Sequence, residues 1–445
     1  MKQHQTRGHF RSAGVLKAPD WSVLRHRDFL LLWASGGVGN ACRWMEMGVL
    51  GWLVLELTNS PWHVALVGAA RSAPLLLFGL FSGLIADRVS RWRVLVLTQT
   101  LNLLATGGLL FGLMIGAIRP WHVFLGAFIL GMSTILDFPS RRSFIYDLVG
   151  PQHIVNAMSL ETVNNTVGKF LGPLVGGWFI ELAGFQGVYG LLLAAYLVGL
   201  VLLIQVQARM TRPPLPSQSV WQSLAAGVRY AVHNRVILGL LGTTVIMNAL
   251  AFSYVPLLPV VARDHLHVGP GLMGVLASAD GVGTFIGAMA IASLRNVRHP
   301  GRIFLCGALL DLVSLAAFAL SPQYVLSFGL LLLVGLGNAG FSTMQSTIIL
   351  LSAEPGMRGR ALGVMGLCIG ATPLGLLEMG AVATLLDAQT AIGFNALAAI
   401  VLMLPVIFFT PLLAGPMGSN LDRHILITPS PLIPPGEGGM GGSQR

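Results

Sequence analysis

Gly83-Leu-Ile-Ala-Asp87-Arg88-Val-Ser90-Arg91-Trp-Arg93 packs three arginines and an aspartate into eleven residues, with apolar sequence on both sides. Upstream, residues 63–86 hold one charge, Arg71, and downstream, residues 94–117 hold none. About 20 apolar residues of helix cross the roughly 30 Å hydrocarbon core of a bilayer. A short charged turn between two such runs therefore reads as two membrane-crossing helices joined at the water interface.

The same alternation fills the chain. Apolar segments fall at 29–56, 63–86, 94–117, 121–139, 155–182, 186–206, 236–261, 270–293, 303–320, 324–350, 361–385 and 389–413, twelve in all. Composition agrees: the 445 residues are 54% hydrophobic and 10% charged, against about 25% charged in soluble domains. The net charge of +10 comes in small groups between apolar runs, with no basic stripe bearing aromatics, so no nucleic-acid partner is expected. Cys42, Cys306 and Cys368 lie inside apolar runs without ligand spacing. They read as small apolar fillers, so neither a metal site nor a cofactor is expected. Sequences of the form G-x-x-x-x-G-K-[ST], HExxH and GxSxG are absent, which argues against a nucleotide-driven pump or an enzyme.

The basic residues set the expected orientation. Of 27 Lys and Arg, 22 lie in the two tails and in every second connection. Only Arg119 and Arg263 lie opposite, while Arg43, Arg71 and Lys169 fall inside spans. By the positive-inside rule both termini are cytoplasmic in a cell membrane. The expected division is a tail at 1–28, a six-helix bundle at 29–206, a linker at 207–235, a second bundle at 236–413 and a tail at 414–445. The linker begins with prolines and becomes amphipathic around Trp221–Tyr230, as a helix lying on the membrane surface would. Residues 67–93 can be laid on 276–302 without gaps, so that Arg71 falls on Asp280, Asp87 on Asn296 and Arg93 on Arg302. This weak self-similarity points to a duplication of six helices. Both tails are polar or rich in Pro and Gly and are expected to lack fixed structure.

Three motifs carry chemistry. In the opening stretch, Gly83 permits close helix approach, Asp87 can face a helix N-terminus, and Arg88 and Arg91 can bridge to acids. In the fifth span, Gly168-x-x-x-Gly172-Pro173-x-x-Gly176-Gly177 places Gly168, Gly172 and Gly176 on one stripe, suited to close helix contact. Pro173 permits a kink, and a close, bendable contact between two halves suits a machine that alternates its access. The fourth span ends in Asp137-Phe-Pro139-Ser-Arg141.

The opening stretch resembles the loop motif G-x-L-a-D-R-x-G-R-R of the major facilitator superfamily, with Ser90 in place of its second glycine. The fifth-span motif is similar to the one associated with antiporters of that superfamily. The fourth-span motif, with Leu53-Val-Leu-Glu-Leu-Thr-Asn-Ser-Pro61, is similar to the enterobactin-exporter-like and macrolide-efflux branch. The resemblance covers about 22–413 and is strongest in the first half. It implies an all-α membrane protein whose twelve helices form two pseudo-symmetric six-helix bundles. It also implies a secondary transporter driven by a proton gradient, working on a small-molecule substrate in a lipid bilayer, and expected to be monomeric. In that family Asp137 joins Asp87 and Arg88 or Arg91 in a charge network that gates the cytoplasmic side. Two departures stand out: the fourth-span arginine tied to proton coupling in many drug antiporters is missing, and the second copy of the loop motif has Asn296 for the aspartate.

The intramembrane charges mark the expected pathway. A charge at mid-membrane costs about 2.5–3.5 kcal/mol even on lenient insertion scales, so it needs a partner or a task. Arg43 and Glu46 lie three residues apart in the first span, on nearly one face. Arg71, Lys169, Asp280 and Glu378 lie in the second, fifth, eighth and eleventh spans. One reading has them bind an anionic or zwitterionic solute, with Glu46 or Asp280 carrying a proton. The other has Arg43–Glu46 and Arg71–Asp280 as self-satisfied pairs that fix helix registry. Asp311 reads as structural, and Glu56 and Glu181, at span ends, as solvated. The function expected first is proton-coupled efflux of a drug, siderophore or other metabolite. An importer of an anionic solute and a non-transporting receptor or scaffold are the alternatives.

Overall fold

The computed structural model describes residues 21–207, 220–294, 297–354 and 356–413; the side chains of 21–22, 80–88, 220–221 and 223 are outside that description. The expectations for the tails, for most of the linker and for Asn296 therefore fall outside the described residues, as do the side chains of Gly83, Asp87 and Arg88. Every regular element among the described residues is helical. Lipid offers no hydrogen bonds, and a helix satisfies its backbone within itself.

The first three spans are α1 (Arg27–Thr58), α2 (Pro61–Arg88) and α3 (Arg91–Met114). Next comes α4 (Pro120–Ile204), 85 residues long, or about 130 Å at 1.5 Å per residue. It is broken at two glycines. Gly150 and Gly184 take φ of 70° and 66° with ψ near 180°, a conformation that costs glycine nothing and other residues much. The breaks leave limbs at 120–149, 151–183 and 185–204. Contacts with α1 give their directions. Gly36, Asn40 and Met45 meet Glu161, Gly168 and Gly172 of the second limb in ascending order. On the third limb, Ser35 bonds Gly199 and Glu46 bonds Tyr196, in descending order. The chain thus reverses at each glycine, and α4 holds the fourth, fifth and sixth expected spans.

The amphipathic linker segment is α5 (Val220–His233). It is tied to the loop after the tenth span: the Glu354 N–H donates to the Tyr230 hydroxyl (3.1 Å), and Asn234 Nδ2 donates to the Ser352 carbonyl (3.4 Å). The seventh span begins as α6 (Arg235–Ile246) and continues through a π turn at Met247–Ala251 and a 3-10 stretch at Phe252–Leu257. It ends in α7 (Leu258–Val260) and a second π turn at Val261–His265. Pro256 and Pro259 lack the N–H that a regular α-helix needs there. Then follow α8 (Pro270–Ser293), α9 (Pro300–Ala319) and α10 (Tyr324–Ser352). The eleventh span is interrupted just ahead of Pro373, giving α11 (Arg358–Ile369) and α12 (Thr372–Leu385); α13 (Ala388–Phe409) is last. Nine helices among the described residues are long and apolar enough to cross a membrane. They become twelve lengths when α4 is taken as three and the more charged α1 is added.

Two antiparallel helix pairs join the halves of the chain. Gly68 of α2 abuts Pro256 and Leu376, and Gly380 of α12 abuts Ala65 and Trp62. In the second pair, Gly177 and the Pro173 carbonyl of α4 press on Gly274 of α8, and Gly281 presses on Lys169 and Phe170. The fifth-span glycine stripe does not join the two halves, as the sequence suggested it would. Gly168, Gly172 and Gly176 pack on Asn40, Ala41 and Met45 of α1, inside the N-terminal half. The contact across halves belongs to Pro173 and Gly177. Nor does Pro173 break its helix, since the non-helical residues of α4 are Gly150 and Gly184.

Candidate translocation cavity

Five of the six expected pathway charges are ion-paired, Glu378 being the exception, but not as the sequence suggested. Arg71 Nη1 lies 3.5 Å from Glu46 Oε2, and its Nη2 donates to the Arg43 carbonyl (3.1 Å). Glu46 is 1% exposed and also accepts from Thr106 (3.2 Å) and Tyr196 (3.0 Å). Arg43 turns to Asp137 at 3.8 Å, not to Glu46. Asp280 pairs with Lys169 (2.9 Å), not with Arg71, and Lys169 also donates to Thr284 (3.1 Å). The Tyr254 hydroxyl donates to the other Asp280 oxygen (3.3 Å). Taking a charge out of water costs several kcal/mol per ion after relaxation, which an opposite charge with good hydrogen bonds offsets. The Lys169–Asp280 pair differs from the others in spanning the two halves.

The expected gating network is also rewired. Asp137 accepts two hydrogen bonds from Arg141 (2.9 and 2.8 Å), whose Nη1 donates to the Leu32 carbonyl (3.1 Å). Arg91 pairs with Asp147 instead of Asp137. The sequence reading missed Asp147, although it lies near Arg141 and Arg142 on the same charged segment. Tyr196, Tyr254 and Thr106 were missed too, because a hydroxyl in an apolar run carries no charge to mark it.

A cavity of about 610 Å3 opens between α1, α2, the first limb of α4, the Phe252–Leu257 stretch, α11 and α12. Among the described residues Arg43 and Arg71 are the ionisable ones on its wall, and the rest is mainly apolar: Trp44, Met47, Leu75, Phe138, Leu367 and neighbours. Glu46 stands behind Arg71. Lys169 and Asp280 line a separate space of about 30 Å3 with Trp44 and Tyr254, room for about one water. Glu378 lines neither; Asn395 of α13 donates to it (2.7 Å). At the end of the bundle where α1 finishes, the halves are stitched together. Arg263 donates to the Leu55 carbonyl (3.4 Å) and to Asn59 Oδ1 (2.5 Å), and Glu181 accepts from the Gly271 N–H (3.0 Å). Glu181 is thus a partner across the halves and not merely a solvated end. Glu56 is engaged as well, by Trp52 (2.7 Å).

An all-helical bundle with ion pairs among its intramembrane charges and an apolar cavity between its halves has the make-up of a membrane transporter. Residues 18–428 match the major facilitator family described as transmembrane secretion effector, and the chain belongs to that family. Within it the chain sits in the enterobactin-exporter-like branch. It is 28% identical to the Enterobactin exporter EntS of Shigella flexneri over 378 residues, covering 82% of this chain and 88% of that protein. The Escherichia coli strain SE11 protein of the same name is 28% identical over 380 residues. Among solved structures, a POT family transporter in complex with 5-aminolevulinic acid aligns with a TM-score of 0.70 at 13% identity, over 85% of this chain and 96% of that one. The nucleoside transporter NupG aligns with a TM-score of 0.66 at 15% identity, over 86% and 98%. These two share the major facilitator fold. The protein is therefore a multi-pass membrane transporter of small molecules and not an enzyme.

Proposed function

We propose that the chain exports a small organic molecule across the cell membrane by proton-coupled alternating access. The observation that carries this reading is the cavity of about 610 Å3 bounded by both halves, which are stitched at one end by Arg263 and Glu181. The bias of Lys and Arg toward the tails and alternate connections supports cytoplasmic termini. In that orientation the stitched end is outermost and the cavity fills from the cytoplasm. The relatives named enterobactin exporters support outward transport, with a siderophore or similar metabolite as substrate.

Asp280 is the proton carrier this reading favours over Glu46. Its ion pair with Lys169 joins the second limb of α4 to α8, so it must change when the halves rock. Protonation converts the Asp280 carboxylate to a neutral acid and removes half of that pair. Glu46 is enclosed with Arg71, Thr106 and Tyr196 inside one half. The test is the efflux of radiolabelled enterobactin from preloaded cells expressing wild type or Asp280→Asn. Faster loss with wild type, abolished by the substitution and by a protonophore, is the expected result. Proton-driven accumulation of the label would reverse the direction, and unchanged pH dependence in Asp280→Asn would remove Asp280 from the coupling.

A further inference from the structure

We propose that the cavity is built for a bulky aromatic anion, with its charged group on Arg43 and its flat body against the glycine face of α11. The inference rests on reading this cavity as the substrate site and names the chemistry of what fills it. Arg43 lines the cavity and its side chain is 25% exposed. Among the described residues its charged partner within 4 Å is Asp137, at 3.8 Å, already gripped by Arg141 through two hydrogen bonds. Among the described residues, no hydrogen bond leaves the Arg43 guanidinium. Its fork of donors is therefore available to a carboxylate, phenolate or sulfonate. Arg71 lies beside it but is engaged with Glu46 and the Arg43 carbonyl. It adds positive potential without offering an equally free fork.

The α11 part of the wall leaves room for width. Gly363 and Gly366 of α11 line the cavity, and a Cβ built on either would meet nothing within 4 Å. Glycine here is not forced by close packing, unlike Gly375 of α12, whose missing side chain makes way for the Ala249 carbonyl. Trp44 and Phe138 line the same cavity and supply aromatic surface on the helices that carry Arg43 and its partner Asp137. A cavity of this volume lies within the range of about 300–1,000 Å3 that encloses drug-sized ligands. One fixed charge on a largely apolar wall sets orientation, while aromatic surface and open width accept the body.

The experiment uses the full chain in lipid nanodiscs, with isothermal titration calorimetry and empty nanodiscs as the blank. The probes are 2-naphthoate, 2-naphthylmethanol, 2-naphthylmethylammonium and benzoate. In the wild type, 2-naphthoate is expected to bind about tenfold more tightly than the alcohol and the ammonium, a factor worth one charge-assisted contact. Arg43→Gln should bring the anion down to the alcohol's affinity while leaving alcohol binding in place, which also reports a folded cavity. Arg43→Lys should restore most of the preference. Gly366→Leu should weaken 2-naphthoate at least fivefold more than benzoate. Equal binding of the three naphthyl probes in the wild type, or an anion preference that survives Arg43→Gln, would overturn the proposal. Equal weakening of both anions by Gly366→Leu would remove the glycine wall from it. Binding with the expected preference but without flux would spare this inference and sink the transport reading; flux without charge preference would do the reverse.

Discussion

In the N-terminal half, Arg43, Arg71 and Arg141 find Glu46 and Asp137 within 4 Å. In the C-terminal half, Asp280, Asp311 and Glu378 lie within spans, while Arg235, Arg263, Arg302, Arg358 and Arg360 stand at the ends of helical segments. Asp311 is fully buried with neither carboxylate oxygen hydrogen-bonded, and Glu378 leans on an asparagine. Of these three intramembrane acids, Asp280 reaches a cation among the described residues, and that cation, Lys169, belongs to the other half. The first half pairs Glu46 and Asp137 from within and has cations to spare; the second borrows one. Pairs inside one half hold its shape, whereas the borrowed pair makes the attraction between halves depend on the charge state of one carboxylate.

The sharpest way to break this comparison is Lys169→Ala. It strands Asp280 next to fully buried Asp311, and a loss of about 3–5 kcal/mol is expected, read as a lower melting temperature in detergent with loss of transport. Adding Asp280→Asn should recover most of the stability but not the transport. If the double variant melts like the single one, the pair is not what couples the halves. Arg71→Ala should cost less, about 2–3 kcal/mol, because Glu46 keeps Thr106 and Tyr196 and, among the described residues, has no second buried carboxylate acting on it as Asp311 acts on Asp280. A larger loss than for Lys169→Ala would invert the ranking of the two halves.

The glycine contacts sharpen it next. Gly172→Ala presses on the Ala41 carbonyl of α1 and should lower stability by about 1–3 kcal/mol, as overpacking does. Gly274→Ala presses on the Pro173 carbonyl across the halves. It should cut transport more than it lowers melting, because two folded halves can separate to relieve it. Cysteine cross-linking between α4 and α8 would read that separation, and unchanged cross-linking would refute it.

The smallest effect lies at the rim. Asp387 caps α13 through Thr390 (2.8 Å to its N–H), and Asp387→Ala should cost about 0.5–2 kcal/mol. Partial burial pushes its carboxyl up, but the Thr390 hydrogen bonds and nearby His265 outweigh that and hold it below the usual carboxylate range. A depressed value means that its contribution is present above about pH 3.9, the unfolded reference, and fades as pH falls through the folded value. Melting temperatures of wild type and variant should therefore converge in acid; a constant gap would count against the cap.

The helices were legible because lipid demands long apolar runs, and 63–86 and 94–117 announce themselves in composition alone. The one-residue reversals at Gly150 and Gly184 were not, since a lone glycine in an apolar run looks the same whether the chain turns there or continues. The candidate charges Arg43, Glu46, Arg71, Lys169 and Asp280 were legible too, because charge is rare inside spans. Their pairing was not: it depends on which helix faces which, and Arg71 meets Glu46 only because α2 runs antiparallel to α1. Hydroxyl partners such as Tyr254 stayed hidden because tyrosine is unremarked in apolar sequence, although the prolines at 256 and 259 mark its span as irregular.

The reversals in α4 have a practical consequence for handling the protein. Where a chain turns on a single residue there is no slack to receive a protease, an epitope or an inserted domain. Limited digestion of the folded protein should leave 120–204 as one fragment. Tags are better placed at 115–119, where several mostly exposed residues separate consecutive helices.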